Sequence, residues 1–158
     1  MKLIFLDIDG VLNDRTFHEA AQSSTIKPEC VAHFNHLIHE TGAVVVLTSS
    51  WRYLTMEDGP EYPALMTLAG LRYLLRTHGV TSKLQIIGHT ERDCVEHGGK
   101  NRGQQIAHYL ETCEDVEAYV VLDDNAFDIA ECGHPFVQTD GRVGLTVADA
   151  DRAISLLR

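Results

Sequence analysis

The chain has 158 residues, 44% of them hydrophobic, with 13 basic against 23 acidic side chains and a formal net charge of -10. That length suits a single domain, residues 1–158, able to bury a core without disulfides or a structural metal, and no stretch approaches the roughly 20 apolar residues of a membrane span. The charge repels polyanions and excludes loose, non-specific nucleic-acid binding, though not a local basic pocket.

In chain order, Leu3–Leu6 is an apolar run that reads as a buried strand over 3–7. It is too short for the core of a signal peptide, so the expected location is cytoplasmic. Two carboxylates follow, Asp7 and Asp9. Positions i and i+2 of a strand share a face, so extended backbone would crowd them, at a cost unless a cation lies between them or one keeps a proton. Pro28 opens a helix that places Val31, Phe34, Leu37 and Ile38 inward and stops near Gly42. His33, His36 and His39 lie opposite Phe34 and Ile38 and read as a solvated face rather than a metal site.

A second strand, 43–48, closes in Thr48 and Ser49. A helix from Pro63 to His78 carries Leu65, Leu68, Leu71, Leu74 and Leu75 at helical spacing and is ended by Gly79. Then come a strand at 84–87, a helix at 100–113 with Ile106, Ala107 and Leu110 inward, and a strand at 118–123 that closes in Asp123 and Asp124. A strand at 135–139 and a helix at 147–157 complete the chain. Apolar strands alternating with helices specify an α/β fold, a Rossmann-like doubly wound parallel sheet. Ligands of such sheets bind beyond the carboxyl ends of the strands, where Asp7, Asp9, Thr48, Ser49, Asp123 and Asp124 gather.

Two other chemistries are excluded. Cys30, Cys94, Cys113 and Cys132 form no C-x-x-C and read as reduced thiols, and Cys94 is followed by Lys100 where a thiol phosphatase loop would want arginine. His97–Asn101 is not a nucleotide-binding P-loop, because no glycine stands five positions before Gly99 and Asn101 replaces the Ser/Thr.

Asp7-Ile8-Asp9-Gly10-Val11-Leu12 matches D-x-D-G-[TV]-[LV], the first motif of the haloacid dehalogenase (HAD) superfamily of phosphotransferases. Thr48 resembles its second motif, Lys100 or Arg102 its third, and Leu122-Asp123-Asp124 its fourth. Arg102-Gly103-Gln104-Gln105-Ile106 is similar to the R-G-x-x-I helix start of one subgroup, while Lys100 fits the superfamily's commoner lysine. With Thr48–Arg52, Ile86–Gly88, Val137–Asp140 and Gly144–Thr146, the chain resembles the HAD-type domain of Swiss army knife RNA-repair proteins.

The resemblance implies Asp7 as nucleophile, forming an aspartyl-phosphate, and Asp9 as the acid for the leaving oxygen and later the base for water. An acid at the second position favours a phosphatase over an ATPase or dehalogenase. Asp7, Asp123 and Asp124 offer the hard oxygen ligands that magnesium prefers, with the Asp9 backbone carbonyl a family-implied addition. Thr48 and the Ser49 backbone would hold phosphoryl oxygens beside the third-motif cation.

Cap modules of the superfamily enter after the first or third strand, and here neither place has room for a full cap domain. An uncapped site suits a bulky phosphorylated end or macromolecule, and the resemblance implies a nucleic-acid end, of the 3′-phosphatase type, with Arg52 and Arg92 overlooking the opening to grip a neighbouring phosphate. The alternatives are a small nucleotide or sugar phosphatase, or a binding module that has lost turnover. Trp51 reads as packing or as a platform for a base, and Asp128 as a helix cap or a metal ligand. No membrane partner is expected, and the oligomeric state is open.

Overall fold

The computed structural model describes residues 1–14, 26–56, 64–91 and 101–158. Five parallel strands, β1 (Lys2–Leu6), β2 (Val44–Leu47), β3 (Ile86–His89), β4 (Ala118–Asp123) and β5 (Phe136–Gln138), form one sheet in the order β3-β2-β1-β4-β5. The described helices are α1 (Pro28–Thr41), a 3₁₀ helix (Ser50–Thr55), α2 (Leu68–Thr77), α3 (Arg102–Glu111) and α4 (Val147–Leu156). No helix among the described residues is long and apolar enough to cross a membrane.

Alternation along the strands sends side chains to two cores. Ile4, Leu6, Val45, Leu47, Val120 and Leu122 face α1, α2 and α4, meeting Phe34, Leu37, Leu71, Leu75, Ala153 and Ile154. Leu3, Phe5, Val46 and Val121 face α3, meeting Ile106 and, in the loop after β4, Ile129. The sheet is thus covered on both faces, as the continuous apolar runs require. The chain order reverses between β1 and β4, which makes the crevice beyond their carboxyl ends the switch point.

Local signals set the boundaries. Gly42 takes φ 62 and its N–H closes α1 onto the Ile38 carbonyl at 3.0 Å. The Thr67 hydroxyl caps α2 and receives the Gly70 N–H at 3.1 Å, so this helix starts later than Pro63 and leaves Leu65 77% exposed rather than inward. Thr146 and Asp149 form a reciprocal capping box on α4, a Thr-x-x-Asp signal visible in the sequence. Strand β3 lies two residues beyond the expected 84–87, because pairing to β2 begins with the Val45 N–H on the Gln85 carbonyl and shifts register between Val45 and Val46.

Candidate active site

Strand pairing carries the first aspartate into the crevice. The Asp7 N–H donates to the Leu122 carbonyl at 2.9 Å and the Thr48 N–H to the Leu6 carbonyl at 2.9 Å, one step beyond the last paired residues of β1 and β2. Asp7, Asp123 and Asp124 each bring a carboxylate oxygen to within 4.8 Å of the others, the one such acidic group among the described residues. Asp7 and Asp123 are buried. Burial first, then the Asp123 charge, pushes the Asp7 carboxyl up to about 7, against the opposing pull of Arg102. Burial likewise raises Asp123, and Arg102 again pulls down. Three crowded oxygen donors fit a hard divalent cation such as magnesium, which would relieve that repulsion. The Thr48 hydroxyl is buried nearby in sequence order at the end of β2 and has no hydrogen-bond partner among the described residues, a donor left for a ligand oxygen.

The second aspartate is held apart from this cluster. Extended backbone ends at Leu6 and the chain turns, with the Leu12 N–H on the Ile8 carbonyl at 2.8 Å. Asp9 therefore sits on a flap, where Asn13 Nδ2 donates to its Oδ1 at 2.9 Å and Trp51 Nε1 to its Oδ2 at 3.0 Å. The expected crowding of Asp7 by Asp9 is corrected accordingly: Asp7's chief charged neighbour is Asp123, and Asp9 contributes least. Gly10 makes the turn possible. It takes φ +81, and a Cβ there would lie 2.5 Å from the Asp124 carboxyl carbon, so the flap and the fourth-motif aspartate can approach only across a glycine.

Arg102 opens α3 and reaches across the crevice. Its Nη1 donates to Asp123 Oδ2 and lies 3.4 Å from Asp7 Oδ1. Its guanidinium stacks on the Phe127 ring at 4.6 Å, with Phe127 itself in the left-handed region at φ 45. Asp128 acts as the helix cap: its carboxylate accepts the Gly103 N–H at 2.6 Å and the Gln104 N–H at 3.2 Å. Gly103 is needed for that approach, since a Cβ would stand 2.7 Å from the Asp128 carbonyl oxygen. Lys100 and Arg92 lie outside the described residues.

Arg52 does not overlook an opening. It is 0% exposed and donates to the Thr48 carbonyl, to the Glu91 carbonyl at 3.1 Å and to the Tyr53 hydroxyl at 3.3 Å, because the 3₁₀ turn folds its side chain back under the second motif. Its expected grip on a neighbouring phosphate is replaced by a brace between the ends of β2 and β3. Ser49 caps that turn, its hydroxyl accepting the Trp51 N–H at 3.3 Å, and its own N–H donates to the Leu6 carbonyl at 3.3 Å, so the expected hold of the Ser49 backbone on a phosphoryl oxygen is replaced by a bond to β1. Trp51 is nearly buried and packs, yet its bond to Asp9 also makes it part of the site. The sequence offered no sign of that bond, nor of the Asn13 and Phe127 contacts.

A parallel sheet of this order, with an Asp-x-Asp-Gly flap after β1 and paired aspartates at the end of β4, is a HAD-type domain. Residues 3–150 match the family described as the HAD domain in Swiss Army Knife RNA repair proteins, and the chain belongs to that family. No curated protein matches it.

Proposed function

We propose that the protein is a magnesium-dependent phosphomonoesterase that works through an aspartyl-phosphate and removes phosphate from nucleic-acid ends. The observation that carries this reading is the division of labour between two aspartates: Asp7 lies buried beside Arg102, Asp123 and Asp124, and Asp9 is held separately by Asn13 and Trp51. Magnesium, held by Asp7, Asp123, Asp124 and the Asp9 carbonyl, would supply the positive charge that lets a carboxylate approach a phosphate dianion. Arg102 adds a fixed cation beside the nucleophile, and the Thr48 hydroxyl binds a phosphoryl oxygen.

An Asp7 oxygen attacks phosphorus as the ester P–O bond breaks, and the leaving oxygen takes its proton from Asp9. Water then attacks phosphorus and gives a proton to Asp9, and the bond from Asp7 to phosphorus breaks to release phosphate. The family's link to RNA repair supports a nucleic-acid end as substrate. With Arg52 turned inward, a small nucleotide phosphatase is the second reading.

A magnesium-dependent phosphate-release assay across 3′- and 5′-phosphorylated oligonucleotides, mononucleotides and sugar phosphates tests both. Asp7→Asn should abolish release from every substrate, because the near-isosteric amide cannot attack phosphorus. Asp9→Asn should cost poor leaving groups about 10²–10⁴-fold and activated ones much less. Activity of Asp7→Asn close to wild type would refute the mechanism, and a preference for sugar phosphates would refute the nucleic-acid substrate.

A further inference from the structure

Trp51 joins two features that the phosphatase reading leaves unassigned. Its indole N–H and the Asn13 amide each donate to one oxygen of Asp9, at 3.0 and 2.9 Å, so the acid is oriented from both sides. The same indole lines a cavity of about 460 Å³ together with Asp9, Ser50, Leu54 and Leu74. That volume lies within the range of small-ligand sites. A leaving oxygen that takes its proton from Asp9 must sit against that carboxylate, and Asp9 forms one wall of this cavity. The group carried by that oxygen therefore has the cavity beside it.

Besides the carboxylate, the walls are an indole ring, two leucines and Ser50. A sugar or polyol set there could pair some hydroxyls with Asp9 and Ser50, but those turned toward Leu54 and Leu74 would lose hydration without replacement. A flat heteroaromatic ring gains instead, by burying its faces against the two leucines and the part of the indole, 9% of the residue, that stays exposed.

We propose that this cavity receives the nucleoside that carries the scissile phosphate, and that Trp51 is a positioning residue that aligns Asp9 with the leaving oxygen while its ring meets the base. The proposal rests on Asp9 being the leaving-group acid. As the ester bond breaks, its electron pair goes to the nucleoside oxygen and the Asp9 proton follows. Occupancy of the cavity and delivery of the proton then depend on one side chain, which ties leaving-group recognition to acid catalysis.

Trp51 is the chain's single tryptophan, so its emission reports on the cavity without any need for turnover. Adenosine should change that emission saturably and bind about ten-fold or more tightly than ribose. Leu74→Glu and Leu54→Glu, both at half-buried positions, should abolish the response while keeping a cooperative thermal transition. An unchanged emission with adenosine, full binding in both folded variants, or tighter binding of phosphotyrosine than of a nucleoside monophosphate would overturn the proposal. Trp51→Phe keeps a ring but loses the N–H. It should lower kcat on nucleoside monophosphates about ten-fold more than on acetyl phosphate, whose leaving group needs no proton, with little change in nucleotide KM. Equal losses on the two substrates would overturn the positioning role. A wild-type protein that hydrolyses no phosphate ester would sink the phosphatase reading instead, leaving the fluorescence titration to decide the nucleoside site.

Discussion

The Asp128 carboxylate accepts the Gly103 amide proton at 2.6 Å, so the helix that opens with Arg102 is capped by the loop that follows β4. The cap is long-range: it ties the direction of Arg102 to the segment that carries Asp123 and Asp124. Replacing it with alanine should cost about 0.5–2 kcal/mol of stability, the usual scale of a lost cap. It should also lower kcat, because the first turn of α3 frays and Arg102 loses its fixed place beside Asp7. Asp128→Asn, which keeps one acceptor, should recover part of both. Thermal melts and turnover of a phosphate ester, measured on the two variants, check this. A catalytic loss as large for Asp128→Asn as for Asp128→Ala, with stability restored, would point away from capping.

The flap glycine gives a sharper case. A methyl group at Gly10 would fall 2.5 Å from the Asp124 carboxyl carbon and would have to sit at φ +81. Two costs add, left-handed backbone for a non-glycine residue and displacement of a carboxylate of the acidic cluster proposed to hold magnesium. Gly10→Ala is therefore expected to lose about 1–3 kcal/mol of stability and to bind magnesium more weakly. Calorimetric titration with magnesium, run beside the melts, separates the second effect from the first. Wild-type magnesium affinity in the variant would show that Asp124 is not displaced.

Much of this arrangement is legible in the sequence, because polar residues that end apolar runs mark strand ends, and strand ends mark the crevice. Asp7, Thr48 and Asp123 are found that way. Asp9 misleads, since the alternation that pairs i with i+2 holds only in extended backbone, and β1 stops at Leu6. Arg52 misleads for a similar reason. A 3₁₀ helix returns its guanidinium to the Thr48 carbonyl, and no spacing pattern announces the turn. The Asp128–Gly103 and Trp51–Asp9 bonds each join a loop to a helical turn far away in the chain, where periodicity carries no information. The late start of α2 is legible in Thr67, a hydroxyl three residues before Gly70, because a cap fixes a helix start more closely than leucine spacing does.

The cluster that pH titrates is the one proposed to hold magnesium. Asp7 titrates near 7 in the folded protein against an ordinary value of 3.8. Between those values the native state holds a proton that the unfolded chain has released, so the stability of metal-free protein falls as pH rises through that window and levels above it. Burial of Asp123 adds in the same direction. The melting temperature in chelator should thus decline from about pH 4 to about pH 7, and magnesium should restore it most at the upper end, where the carboxylates are ionised. Asp7→Asn should flatten part of the decline and raise the melting temperature of metal-free protein at neutral pH. A metal-free profile that rises across this window would contradict the buried-carboxylate account.

Arg52 separates a brace from a phosphate grip. Its guanidinium joins the carbonyls of Thr48 and Glu91, one beyond β2 and the other beyond β3, and stacks on the Tyr53 ring at 4.7 Å. Removing it strands the buried Thr48 carbonyl oxygen, which costs about 1–3 kcal/mol, and releases the part-buried Glu91 carbonyl. The second-motif loop would loosen with it, and Thr48 there carries the buried hydroxyl proposed to hold a phosphoryl oxygen. Arg52→Ala should therefore lower the melting temperature and reduce kcat/KM by a similar factor on oligonucleotide ends, mononucleotides and aryl phosphates. Arg52→Lys should rescue little, because an ammonium lacks the planar fork that spans two carbonyls. The salt dependence of oligonucleotide turnover should match wild type, since a buried side chain releases no counterions from a bound strand. A loss confined to oligonucleotides, with a shallower salt slope and an unchanged melting temperature, would instead make Arg52 a substrate contact.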